Sequence, residues 1–182
     1  MSVRKTVLVV AVLNLLYFFV EFSYGRIYGS VSLLSDSIDF LEDASVNFLI
    51  LLAIGWSLSS RKLISYLFAG LLLIPGISFL WNAIQKVLDP TTPHGEGMTI
   101  VGLGALVVNV FCAIFIAKHK SHEHSLILAA FYSARNDAIA NIMIIASGLI
   151  TLLIPSIWPD LLVGLIIFGL NADAARKVIQ VS

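Results

Sequence analysis

Charge is what this sequence has least of. Asp, Glu, Lys and Arg make up 12% of its 182 residues and balance to a formal net charge of zero, against about 25% charged residues in soluble domains. There is no basic tract and no nucleic-acid motif, so DNA and RNA are not expected as partners. Cysteine occurs once, at Cys112 in an apolar run. That excludes a disulfide framework and a Cys-type zinc finger, and leaves a small buried hydrophobe as the reading. Phosphate-binding loops and nucleophile–base spacings are also lacking, so catalysis has no support, and Gly102-Leu-Gly104 reads as helix packing. The abundance is apolar: 59% of residues are hydrophobic, and mean hydropathy is +0.97. The bilayer is the implied solvent.

The pattern predicts an all-α membrane protein with six transmembrane helices, over about 6–25, 31–56, 63–87, 98–117, 125–153 and 158–179. Breaks between them carry loop chemistry, with prolines at 90, 93, 155 and 159, whereas Pro75 lies inside the third span. The first run is too long for the apolar region of a signal peptide and has no small-residue cleavage site. With the N-terminus cytoplasmic, Arg4, Lys5, Arg61, Lys62, Lys118, Lys120, Arg176 and Lys177 fall inside; only Arg26 and Lys86 fall outside. Both termini are then cytoplasmic. The expectation is a single transmembrane domain, multi-pass and surrounded by lipid, with no soluble domain.

Against that background the segment DSIDFLED, residues 36–43, is out of place. An ionised Asp at a helix centre costs about 2.5–3.5 kcal/mol on insertion scales. Asp39, Asp43 and Asp137 therefore need protons, a counter-ion or a bound cation. Asp39 and Asp43 are four residues apart and share one helix face, where like charges repel unless something positive lies between them. A divalent cation takes carboxylate oxygens at about 2.0–2.2 Å and fits such a pair. Asp36 lies one turn outward. In the fifth span Ser133 and Asp137 repeat the four-residue spacing, with Asn136 and Asn141 as further oxygen donors. Polar glue between helices accounts better for Asn14, Asn47, Asn109 and Asn141. Arg135 points away from Asp137 around its helix and reads as a structural ion pair. His119, His122 and His124 cluster in the loop KHKSHEHS, either collecting metal at the cytoplasmic mouth or simply solvated. No span contains a histidine, so an intramembrane site is all oxygen.

These residues resemble the cation diffusion facilitator family. GSVSLLSDSIDFLEDASVNFLI is similar to that family's second helix, and Glu21 in FFVEFSYG to the acidic residue ending its first. The stretches from Gly97, Ser125 and Trp158 resemble its fourth, fifth and sixth helices. The resemblance implies a cation diffusion facilitator-like transmembrane bundle in a bacterial-type inner membrane. It implies export of divalent cations, zinc first, by metal/proton antiport, in a homodimer joined by helices three and six. The metal is cargo, and no cofactor is expected. The family's four site residues carry over to Asp39, Asp43, Ser133 and Asp137. Ser133 stands where the family usually has His; a neutral hydroxyl is a poorer zinc ligand, which brings Cd²⁺, Mn²⁺, Fe²⁺ and Co²⁺ into consideration. Asn136 is an auxiliary donor, Glu21 and Asp36 are exit-path candidates, and the loop histidines are entry candidates. Members commonly carry a cytoplasmic metal-binding domain, so the expectation is a short member lacking it. The competing class is a non-transporting membrane subunit with a structural cation site.

Overall fold

A computed structural model describes the backbone of residues 3–53, 58–117 and 125–181, and the side chains of 4–51, 70, 74–117 and 136–170. The described residues form six α-helices and no strand: α1 Val3–Ile27, α2 Val31–Ala53, α3 Leu58–Leu88, α4 Gly95–Ala117, α5 Ser125–Leu153 and α6 Trp158–Val181. The fourth helix starts ahead of its apolar run because His94 caps it, Nδ1 accepting from the Gly97 N–H at 3.0 Å. α3 continues through Pro75.

Helix α2 is the centre of the bundle, packing on α1, α3, α5 and α6, while α4 lies against α5 and α1. From Ser30, just ahead of α2, to Ser37, the first two turns of that helix are buried without a break. The α4–α5 pair approaches closely at Gly148, where a Cβ would fall 2.5 Å from Thr99 Oγ1 and 2.9 Å from the Gly95 carbonyl. Polarity is inverted relative to a soluble bundle. Asn14, Glu21 and Asn141 are 0% exposed, whereas Val107 is 68% and Leu16 59% exposed. An outer surface of large aliphatic side chains around a polar interior is what a hydrocarbon solvent selects. Arg4–Ile27, Gly95–Ala117 and Asn136–Leu153 are long and apolar enough to cross a membrane, and Trp158–Leu170 is a shorter apolar stretch. α2 carries Asp36, Asp39, Glu42 and Asp43, which dilutes its apolar signal.

The outer ends of α2, α3 and α6 meet at one carboxylate. Asp160, in the first turn of α6, accepts from the Val31 N–H at 2.8 Å and the Ser32 N–H at 3.0 Å, capping α2 from another helix. The Ser30 and Ser32 hydroxyls donate to it at 2.8 and 2.6 Å. Lys86, near the end of α3, completes the cluster at 3.0 Å and also donates to the Gly29 carbonyl. Lys86 is 4% and Asp160 0% exposed, so this ion pair is buried and saturated with hydrogen bonds. Gly29 takes φ +60°, the left-handed conformation that lets the α1–α2 turn close beneath it.

Candidate metal site

The acids on α2 are spread along three turns, and the structure sends them to different neighbours. Asp39 is 8% exposed and lines a cavity of about 360 Å³ together with Asp137 and Asn136 of α5. Among the described residues, Ile139, Ala140 and Met143 of α5 and Ile167 and Leu170 of α6 also line it. One carboxylate from each of two helices thus opens into a chamber whose other described lining, Asn136 apart, is apolar. Water is the poorer competitor in such a chamber, and charge–charge interactions are correspondingly stronger. The charges of Asp36, Asp137, Glu42 and Asp43 all act on Asp39, so the site is strongly electronegative.

Asp43 is one turn inward of Asp39 but turns to α1, where its Oδ2 accepts from Asn14 Nδ2 at 3.5 Å. Asn14 in turn accepts from the Cys112 thiol at 3.8 Å, so one buried amide links α2, α1 and α4. Cys112 is a buried free thiol, as its apolar surroundings predict. Among the described residues Asn47 and Asn141 bond within their own helices rather than between helices: each amide donates at 2.7 Å to the carbonyl four residues back, that of Asp43 and of Asp137 respectively. These bonds tie the two acid-bearing turns to the next turn of the same helix.

Glu21 and Asp36 do not line the cavity. They face each other between α1 and α2, both 0% exposed. The backbone places Ser133 on α5 one turn before Asp137; its side chain, like that of Arg135, lies outside the described residues, as do His119, His122 and His124. Among the described residues, no three His, Cys, Asp or Glu side chains converge as a metal-holding group. What is assembled is the pair Asp39–Asp137 with Asn136, and Asp43 close by on another partner. The pairing of Lys86 with Asp160 is not legible in the sequence, where Lys86 serves only to orient the chain and each reads as an ordinary charge next to a proline-bearing loop.

Residues 7–182 match the family model described as the cation efflux transmembrane domain. The chain is similar to the zinc transporter ZitB of Yersinia pseudotuberculosis serotype I (strain IP32953), 23% identical over 163 residues that cover 83% of this chain and 52% of the relative. It is also similar to the zinc transporter ZitB of Pectobacterium atrosepticum, 26% identical over 161 residues covering 81% of this chain and 50% of the relative. The chain therefore spans about half the length of the curated relatives it matches. With its apolar helices and its match to a transmembrane domain, it is an integral membrane protein. The family match runs through all six helices, and the chain belongs to the cation efflux family.

Proposed function

We propose that this chain exports a divalent metal cation, zinc first, in exchange for protons, and that Asp39 and Asp137 are the ligands it cannot do without. The observation that carries the reading is the shared cavity: acids from α2 and α5 line one chamber whose other described lining, Asn136 apart, is apolar. Similarity to proteins named zinc transporters supports zinc as the first candidate. Ser133 and Asp43 complete the proposed four-oxygen set, with Asn136 as an auxiliary donor. Asp43 joins by rotating from Asn14 towards the cavity. Both termini face the cytoplasm, and two copies meet through α3 and α6.

The chemistry of exchange follows from the ligands. A carboxylate binds metal only when deprotonated, so metal and proton compete for the same oxygens. Metal arriving from the cytoplasm displaces protons inward. Protons arriving from outside discharge the carboxylates and release the metal outward. Alternation needs a seam that opens, and α2 packs on α5 over less of its length than on α1, α3 or α6. Separation of α5, moving with α4, from α2 would uncover the pair with the least loss of packing.

The purified chain in liposomes loaded with a zinc-sensitive dye, under an imposed proton gradient, tests this. Zinc flux should fall as the gradient is dissipated. Asp39→Asn and Asp137→Asn should each reduce it by about 100-fold or more, since even partners behind the ligands contribute about 10–100-fold. Apparent zinc affinity should weaken as pH falls. Undiminished flux in either variant would remove the site assignment; zinc bound but never moved would favour a structural cation site in a non-transporting subunit.

A further inference from the structure

The exchange reading leaves two buried acids unused. Glu21 of α1 and Asp36 of α2 face each other, fully sealed from the surface, and none of their four oxygens has a hydrogen-bond partner among the described residues. An ionised carboxylate only accepts. Two of them face to face therefore cannot bond to each other, and burying both charges uncompensated is strongly unfavourable. One proton changes this, because it converts one carboxyl into a donor and the pair into an O–H···O⁻ hydrogen bond, the strong charge-assisted kind.

Among the described side chains, the surroundings offer no other remedy. On α1, Tyr17 donates its hydroxyl to the Val101 carbonyl at 2.6 Å, and Arg4, Lys5 and Arg26 are exposed towards the helix ends. On α2 the next groups inward are Asp39, Glu42 and Asp43, all acidic. α5 contributes Asp137, another acid, while Lys86 of α3 and Asp160 of α6 neutralise each other. In α4 the titratable side chains are Glu96 in its first turn and the Cys112 thiol, engaged with Asn14.

We infer that Glu21 and Asp36 hold a proton between them and form a proton-binding site separate from the metal site. This rests on the exchange reading above. Asp36 lies one turn outward of Asp39, so a proton entering from the outer side meets this pair before it reaches the metal ligands. The proton is taken from outside water and given up to cytoplasmic water once in each cycle, with no bond formed or broken except O–H. Metal ligation and part of the proton count then belong to different residues.

The experiment uses the whole chain in liposomes with dyes for zinc and for pH, alongside equilibrium dialysis against zinc. Glu21→Gln and Asp36→Asn should leave zinc affinity within about twofold, which also reports that the variants fold. Both should lower the number of protons moved per zinc ion by one. The exchange Glu21→Asp with Asp36→Glu, which keeps both carboxyls, should restore the wild-type ratio. An unchanged ratio in the amide variants would overturn the inference, and so would failure of the exchanged pair to restore it. Loss of one bound zinc equivalent would make the pair a metal site and overturn it too. A wild-type chain that moves zinc without protons would instead bring down the exchange reading itself.

Discussion

At the scale of single residues, the site's chemistry turns on donor hardness. Every donor proposed for the metal is an oxygen, and Ser133 supplies the weakest of them. Replacing it with His would add a neutral nitrogen donor one helical turn from Asp137. Ser133→His is expected to raise the preference for zinc over Mn²⁺ by about tenfold, the range in which a second-shell change already moves affinity. Competition dialysis with both ions measures it, and an unchanged preference would place Ser133 outside the ligand set. Asp39 and Asp137 were legible in the sequence because a charge inside an apolar run has few explanations in a membrane. The division of labour on α2 was not. Asp36, Asp39 and Asp43 share a spacing that suggests one face and one purpose. Yet Asp36 meets Glu21 and Asp43 meets Asn14. Partner choice depends on what α1 presents opposite each turn, and a local spacing rule carries no such information.

At the scale of elements, the outer ends of three helices depend on Asp160. It replaces two of the N–H partners that the start of α2 lacks and neutralises Lys86. Asp160→Ala leaves a buried ammonium without its carboxylate and the Val31 and Ser32 N–H groups without their acceptor, while Ser30 Oγ still accepts from the Leu33 N–H; the loss is expected at about 3–5 kcal/mol. Lys86→Met removes the charge while keeping an apolar stem, and Asp160 retains four other hydrogen bonds. The milder outcome is therefore expected for Lys86→Met. Thermal unfolding in detergent should rank Asp160→Ala well below Lys86→Met and wild type; equal losses would mean the charge pair, rather than the cap, holds the cluster. Helix existence could be read from hydropathy and from the breaks at proline. The start of α4 and the cross-helix cap on α2 could not, because each is set by a side chain reaching over from a turn or from a helix distant in sequence.

At the scale of the whole molecule, one physical choice governs where every class of side chain goes. Water would draw the acids and amides outward; hydrocarbon leaves them no partner outside and gathers them along α2, where they meet one another and the cavity. The same solvent makes the aliphatic exterior favourable, including the face of α4 that carries Val107. On a soluble protein, an exposed Val changed to Arg would alter stability by no more than about 0.5 kcal/mol. Here the guanidinium would lie against lipid near the middle of an apolar helix of 23 residues, at a cost of about 2.5–3.5 kcal/mol on insertion scales. Val107→Arg should therefore reduce membrane-inserted protein substantially, while Glu96→Arg, at the outer start of the same helix, should not. Membrane fractionation of the two variants makes the comparison directly. Equal insertion would mean that this face of α4 is shielded from lipid, and the choice of α3 and α6 as the faces that meet a second copy would then have to be reconsidered.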